Sequence, residues 1–229
     1  MLARIAAAPV LEAPFPHCVI DQVFPAEFFE DIVDHWPDGS SFRSIVQTAR
    51  VIGDAYRARM VVRLEEGDLA RLEERARRFW SETVGSWLLD DGFAHALTEK
   101  FRDALLASGH YPAQGVSADA LIVADRTDYA IGPHTDAPHR VVSALFYLPE
   151  DAAFRRFGTS LYQPLDGDFR CRGGPHHPFK RFRRVKTIEF VPNRLLLFPK
   201  SDRCFHGVER VDLPGIERRL LIYDVRRKA

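Results

Sequence analysis

Apolar residues in the first half of the chain recur mainly at helical spacing. The segment 26–36 follows Pro25 and repeats large apolar side chains every three or four residues, which predicts an amphipathic helix with proline at its start. The same period predicts a second helix from Asp68 to Leu89 and a third from about Phe93 to Leu106. Ahead of them, the β-rich run CVIDQVF predicts one opening strand.

The pattern changes after Gly115, where short β-rich runs replace the helical period. Seven such runs, punctuated by Pro, Gly, Asp and Asn, begin with ADALIVADR and end with RRLLIYDV. So many short strands predict an antiparallel sandwich or roll. We therefore expect a single, mainly β domain, in which residues 1–115 form a helical support with the opening strand and residues 116–229 form the core. The helices would pack on one sheet of that core.

Composition indicates the class of protein but says little about its binding partners. The chain has 229 residues, of which 46% are hydrophobic and 28% charged, as in globular proteins that bury a core. Lysine plus arginine equals aspartate plus glutamate at 32 each, so the net charge indicates no partner. Three cysteines without CxxC spacing favour a reducing, cytoplasmic location. No run of 18 apolar residues is present, so no membrane-spanning helix is predicted.

One segment of the second half differs from its surroundings. Residues 151–184 are rich in glycine and proline and carry eight Lys/Arg against three Asp, which predicts a long, basic, weakly structured insertion between strands. Its interleaved aromatics are compatible with nucleic-acid binding. Because the whole chain is neutral, a solvated loop or a lid over a small anionic substrate is favoured over a nucleic-acid partner.

The motif His134-Thr135-Asp136 is the first candidate for chemistry. Residues i and i+2 of a strand point to the same side, so this imidazole and carboxylate could reach one metal ion. A loop histidine capped by an aspartate is the alternative, because so short a motif also arises by chance. His206, in the later β-rich run CFHGVERV, would supply a third ligand. Two histidines and one carboxylate leave three metal positions open, as in non-haem Fe(II) oxygenases, whereas structural zinc sites are closed by four ligands.

Three further histidines are weaker candidates for metal binding. His139 is too close along the chain to the His-x-Asp motif to add a usable ligand. His176 and His177 lie in the basic insertion. We expect none of the three to bind the metal.

The stretch Leu121 to Val225 resembles the Fe(II)/2-oxoglutarate-dependent dioxygenases. The resemblance rests on the His-Thr-Asp motif followed by VVSALFYL, on FHGV preceded by NRLLLFPK, and on the arginine pair 218–219, which begins twelve residues after His206. It implies a double-stranded β-helix, or jelly roll, that holds Fe(II) through the two histidines and the aspartate. It also implies 2-oxoglutarate and O₂ as cosubstrates, with ascorbate as an optional support.

The resemblance also implies a role for one arginine of the pair. In the family, an arginine near this position binds the distal carboxylate of 2-oxoglutarate, whose two oxygens match the guanidinium fork. The family often has Arg-x-Ser here, which favours Arg218, although the third position reads Leu220. The alternating apolar residues Leu221, Tyr223 and Val225 would instead favour Arg219, which lies on the same face of the strand as they do. Both arginines therefore stay candidates, with Arg218 preferred.

Tyr129 is a further cosubstrate candidate. It lies five residues before His134, where its hydroxyl would donate to 2-oxoglutarate or its ring would stack in the pocket. The alternative is a half-buried strand tyrosine with no such role.

The function that this resemblance implies is oxidation of an unactivated C–H bond, most simply hydroxylation, of a small-molecule substrate. One alternative is a zinc-dependent, cupin-like hydrolase or isomerase that uses the same three ligands as a Lewis-acid site. It lacks an evident general base and leaves the arginine pair unexplained. The other alternative is a non-catalytic jelly-roll binding module, which would not need two histidines and an aspartate in this order.

Overall fold

The computed structural model describes residues 1–48 and 56–228, and over these ranges the chain forms two antiparallel sheets with helices. The strands are β1 (Cys18–Asp21), β2 (Arg43–Ser44), β3 (Arg59–Arg63), β4 (Val116–Arg126), β5 (Ile131–His134), β6 (Arg140–Tyr147), β7 (Thr159–Pro164), β8 (Phe182–Ile188), β9 (Arg194–Pro199), β10 (His206–Val208) and β11 (Glu217–Arg227). The helices are α1 (Leu2–Ala7), α2 (Ala26–Asp34), α3 (Glu66–Leu69), α4 (Glu74–Arg78), α5 (Gly85–Leu88), α6 (Asp91–Lys100) and α7 (Arg102–Ala107), with a π-helical turn at Phe79–Val84.

The two sheets form a roll. In the described ranges, the larger sheet has the order β1-β9-β6-β11-β4-β3-β2 and the smaller has the order β5-β10-β7-β8. One apolar cluster joins Leu161 and Ile188 of the smaller sheet to Leu196, Leu220 and Val123 of the larger one. The inner faces of the sheets therefore pack against each other, and the predicted antiparallel β core is confirmed.

The helices cover the outer face of the larger sheet. Trp80, Phe93 and Leu97 belong to one buried cluster with Phe146 of β6 and Tyr223 of β11. The central strands are consequently buried on both faces, which explains why ALIVA in β4 and LLIY in β11 are continuous apolar runs instead of alternating ones. This matches the expected packing of helices on one sheet. No helix within the described ranges has the length and apolar character that crossing a bilayer requires.

The N-terminal half is less helical than the apolar spacing predicted. Besides the expected opening strand β1, it contributes β2 and β3, and β3 pairs with β4 along the larger sheet. The single helix predicted from Asp68 to Leu89 is divided into α3, α4, the π-helical turn and α5. One cause is Asp68, whose buried carboxylate accepts from the backbone and side chain of Arg63 and so ties α3 to the end of β3. The spacing of apolar residues does not reveal a buried polar contact of this kind.

The range 151–184 also differs from the irregular insertion that its composition predicted. It contains β7, which lies between β10 and β8 in the smaller sheet, and the start of β8. Two parts of the range lack strand structure: residues 151–158, with a 3₁₀ turn at Arg155–Phe157, and the connection between β7 and β8, residues 165–181, with a 3₁₀ turn at Phe179–Arg181. β8 is an edge strand, and its exposed basic side chains are typical of edges that avoid pairing with other chains.

Candidate metal and cosubstrate site

Strand pairing brings the three predicted metal ligands together. His134 ends β5 and lies opposite His206, the first residue of β10, in the antiparallel register of the smaller sheet. Asp136 follows β5 by two residues. One potential ligand atom from each side chain lies within 4.8 Å of the others, and among the described residues this is the one such group of three or more His, Cys, Asp or Glu. His139, His176 and His177 are not part of it.

Backbone hydrogen bonds orient both imidazoles. Nδ1 of His134 lies 2.9 Å from the carbonyl oxygen of Gly132, and Nδ1 of His206 lies 3.0 Å from that of Cys204. A carbonyl only accepts, so each Nδ1 carries the proton and each Nε2 keeps its lone pair. Nε2 of His206 lies 3.8 Å from Oδ1 of Asp136. Burial, as the main cause, lowers the pKa of both histidines, which favours the neutral imidazole that binds metals.

The carboxylate of Asp136 is held on both oxygens. Nη1 of Arg140 donates to Oδ1 at 2.9 Å, and Oγ of Ser143 donates to Oδ2 at 2.7 Å. Burial by itself would raise the pKa of Asp136. The positive charge of Arg140, followed by His206, His134 and the Ser143 hydrogen bond, outweighs burial and holds that pKa well below its usual range. Asp136 is therefore an ionised carboxylate with a fixed orientation, as a metal ligand requires.

A cavity of about 500 Å³ between the sheets contains the three candidate ligands in its wall. Tyr129 and Arg218 line the same cavity, and Arg219 does not. On β11 the inward row is 218, 220 and 222, whereas Arg219 stands on the opposite face. There its guanidinium lies 5.3 Å from the Trp36 ring and pairs with Glu150 and Glu217. The Arg-x-Ser register thus identified the arginine that faces the cavity.

Arg218 belongs to a buried ionic cluster that sequence reasoning missed. Its Nη1 donates to Oδ2 of Asp125 at 2.8 Å, its Nε donates to the carbonyl of Phe157 at 2.6 Å, and its Nη2 lies 3.3 Å from Oγ1 of Thr159. Arg59 of β3 binds the same Asp125 through Nε at 2.6 Å and Nη2 at 2.9 Å. Two guanidinium groups share one carboxylate, so this cluster carries a net positive charge.

Tyr129 lies beside this cluster. Its side chain is fully buried, and the guanidinium carbon of Arg59 lies 4.5 Å from the centre of its ring. Its hydroxyl is buried without a hydrogen-bond partner among the described residues. Burial raises the pKa of Tyr129, so the hydroxyl of this cavity-lining residue keeps its proton and remains a hydrogen-bond donor.

The connection between β7 and β8 packs against the turn at residues 134–137, which carries two of the candidate ligands and which we call the metal-binding turn. Thr135 donates from Oγ1 to the carbonyl of Cys171 at 2.7 Å, and the backbone N–H of His177 donates to the carbonyl of Pro133 at 2.9 Å. The side chain of His176 enters the cavity wall, where its Nε2 lies 2.6 Å from the Tyr56 hydroxyl. This part of the insertion, predicted to be weakly structured, is thus hydrogen-bonded to the turn that carries two of the candidate ligands.

Arg59, Asp125, Arg140 and Ser143 were not identified from the sequence. Ser143 alone had a local signal, because it lies on the predicted strand VVSALFYL seven residues after Asp136. The three charged residues gain their neighbours from strand pairing across 66 or more residues, or from the metal-binding turn itself.

Comparison with known proteins shows which solved structures share this fold. No protein-family model and no curated protein matches the chain. Among solved structures, a prolyl-4-hydroxylase from Pseudomonas putida matches with a TM-score of 0.55 and 16% identity over 100% of both chains. An oxidoreductase of the 2OG-Fe(II) oxygenase family from Burkholderia pseudomallei has a TM-score of 0.51 and 16% identity, over 100% of this chain and 91% of its own. The chain has the fold of the 2-oxoglutarate–Fe(II) oxygenases.

A third match extends the comparison to a peptide-bound enzyme. It is a prolyl hydroxylase from Trichoplax adhaerens, in complex with a fragment of a hypoxia-inducible factor, with a TM-score of 0.53 and 14% identity over 92% of this chain and 83% of that one. At these identities the likeness concerns the fold. The double-stranded β-helix implied by the sequence motifs is that of these oxygenases.

Proposed function

We propose that this protein is an Fe(II)- and 2-oxoglutarate-dependent oxygenase. The observation that carries the proposal is the position of His134, Asp136 and His206 in one cavity wall, with both Nε2 lone pairs and an ionised carboxylate within 4.8 Å of one another. Three protein ligands on one side of a metal leave positions for a chelating cosubstrate and O₂. The fold shared with known oxygenases of this kind supports the proposal.

The residues of the cavity fit both groups. His134, Asp136 and His206 would hold Fe(II), because two neutral imidazoles and one carboxylate are the donor set of non-haem iron sites. The net positive charge shared by Arg59, Asp125 and Arg218 would bind the distal carboxylate of 2-oxoglutarate. When bound, iron, 2-oxoglutarate and O₂ together supply an oxidant strong enough to attack an unactivated C–H bond.

The chain's own contribution is to orient and to shield. Ser143 and Arg140 keep the carboxylate of Asp136 ionised and fixed, and the backbone carbonyls of Gly132 and Cys204 fix the two imidazoles. Tyr129 would donate to 2-oxoglutarate through its hydroxyl, which has no hydrogen-bond partner in the described part of the chain. The connection between β7 and β8 covers the metal-binding turn and limits access of water to it.

We further propose that the reaction is hydroxylation of a small-molecule substrate. The test has two stages, both with the full chain. Under argon, Fe(II) and 2-oxoglutarate added together should give a weak visible charge-transfer band that neither gives alone. In air with ascorbate, a substrate screen should then identify compounds that raise succinate release, and mass spectrometry should find the product one oxygen atom heavier. Absence of both the band and succinate would leave a zinc-dependent hydrolase or a binding module as the better hypothesis.

A further inference from the structure

The cavity wall presents many more cations than the cosubstrate requires. Among the described residues that line it, four are arginines and one, Asp136, is an acid. Three carboxylates that pair with these arginines do not line the cavity, namely Asp119, Asp125 and Asp224, whereas Asp136, which pairs with Arg140, does. A molecule inside the cavity therefore meets guanidinium groups on most of its charged wall.

The four arginines form two pairs at opposite ends of the roll. Arg59 and Arg218 share Asp125 at one end. Arg140 and Arg226 lie opposite each other on β6 and β11 at the metal end, where Arg140 contacts Asp136. Arg218 and Arg226 are eight residues apart on one strand, roughly 26 Å along its axis. A five-carbon diacid held between the metal and Arg218 extends away from Arg226, so the cosubstrate accounts for the first pair only.

We propose that Arg140 and Arg226 bind an anionic oxo group, a carboxylate, phosphate or sulfate, on the substrate. This inference rests on the proposed function and names the substrate class for the same site. Both side chains are about a quarter exposed (27% and 29%), so they can reach a ligand while remaining paired with protein carboxylates. Guanidinium groups bind such anions through charge-assisted, often paired hydrogen bonds.

The same cavity wall supplies further polar groups. Tyr56 and His176 line the cavity and are hydrogen-bonded to each other at 2.6 Å. His139 lines it as well, next to Arg140 in sequence. The His176 ring lies 4.9 Å from that of His134, so a substrate whose acid group is held by the arginines would meet the Tyr56–His176 pair beside the candidate metal ligands.

A purely structural role for the second pair makes a different prediction. Arg140 bridges Asp136 and Asp224, and Arg226 pairs with Asp119, so both could serve only to join the ends of β4, β6 and β11. In that case their replacement would lower stability without any effect on anion binding. Arg226 is the better residue to test, because Arg140 touches a metal ligand.

The decisive experiment is an isothermal calorimetric titration. Sulfate is added under argon, at constant ionic strength, to the protein loaded with Fe(II) and 2-oxoglutarate. Sulfate should bind the wild type, and Arg226→Gln should weaken binding about tenfold, as expected for the loss of one charge-assisted contact. Arg210→Gln removes an equally charged but exposed side chain, which pairs with Asp128 on the surface, and should leave sulfate binding unchanged. No sulfate binding by the wild type, or equal binding by wild type and Arg226→Gln, would overturn the inference.

Two further arms complete the test. If Arg226→Gln fails to fold, Arg226→Lys is used instead, because it keeps the charge but loses the forked guanidinium group. Weaker sulfate binding by this variant supports the inference, and unchanged binding overturns it.

Pools of small carboxylic acids and of small monophosphates, each beside its uncharged amide or alcohol counterparts, are then assayed for succinate release. Stimulation by a charged pool alone supports the inference and identifies the oxo group, whereas equal stimulation by the uncharged counterparts overturns it. A missing charge-transfer band would instead count against the proposed function itself.

Discussion

Arg218 donates from Nη1 to Oδ2 of Asp125 at 2.8 Å, and both side chains are essentially excluded from solvent. Burying an ion pair is costly unless its remaining hydrogen-bonding groups are satisfied. Arg59, Thr159 and the carbonyl of Phe157 satisfy them here. The cluster still retains one positive charge, and a site with buried excess charge is suited to bind an anion.

Replacement of Arg218 tests its proposed role toward 2-oxoglutarate. Arg218→Gln should raise the 2-oxoglutarate concentration that gives half of the visible band by about a hundredfold, because a buried charged contact is lost. Arg219→Gln, which alters the outer face of the same strand, should change it less than about threefold. The measurement is an anaerobic titration at saturating Fe(II). The reverse order of effects would mean that Arg219 binds the cosubstrate.

Removal of any one candidate metal ligand should abolish iron binding. His134→Ala, Asp136→Ala and His206→Ala should each copurify with little Fe(II) and release no succinate, since two remaining ligands hold the ion weakly. Metal content is measured after anaerobic loading and desalting, and circular dichroism checks that the sheets persist. Wild-type iron content in all three variants would contradict the assignment.

Ser143 should influence the metal without touching it. Ser143→Ala removes the hydrogen bond to Oδ2 of Asp136 and should weaken Fe(II) binding about 10- to 100-fold, the usual effect of losing a group that orients a ligand. Ser160→Ala is the matched control, because this buried serine bonds to Thr187 instead. Competition with a metal-binding dye measures the affinity, and equal affinities of the two variants would exclude an orienting role for Ser143.

Gly173 allows the β7–β8 connection to approach the metal-binding turn closely. A Cβ at Gly173 would lie 2.2 Å from the carbonyl oxygen of Asp136, and its φ of +121° disfavours other residues. Gly173→Ala should therefore cost roughly 2 kcal/mol or more in stability and should weaken iron binding. Gly167→Ala in the same connection meets nothing within 4 Å and should be nearly neutral. Thermal unfolding and metal titration of the pair provide the measurement.

Asp224 should make stability depend on pH. Burial raises its pKa to about 6, against the opposing charge of Arg140, with Asp136, Asp119 and Arg226 also nearby. A pKa raised on folding means that the folded state binds more protons, so the contribution of Asp224 to stability falls as pH rises from about 4 through about 6. Asp224→Asn removes this titration. Relative to the variant, the wild type should lose on the order of 2–3 kcal/mol across that window in denaturant unfolding. A constant difference would show that Asp224 titrates normally.

The sequence identified the three candidate metal ligands through the His-x-Asp spacing, His206 and the family resemblance together, and the structure brings the three side chains together. The i, i+2 spacing of a strand predicted that His134 and Asp136 would converge, and they do so although β5 ends at His134 and Asp136 lies in the turn after it. The seven β-rich runs of the second half correspond to β4 and β6 to β11, because alternating or continuous apolar patterns reflect sheet burial directly. β2 and β3 were missed, since their stability comes from pairing at the edge of the larger sheet and not from a local pattern.

Only the tertiary structure decided which charges meet. β11 is buried on both faces, so its apolar pattern could not tell whether Arg218 or Arg219 faces the cavity. In the folded structure the helices pack on one face of the larger sheet and the smaller sheet packs on the other. The meeting of Arg59, Asp125 and Arg218 depends on the register of three strands distant in sequence, as does the pairing of Arg140 with Arg226. Strand register is set by the packing of whole sheets, a non-local free energy that no short window of sequence contains.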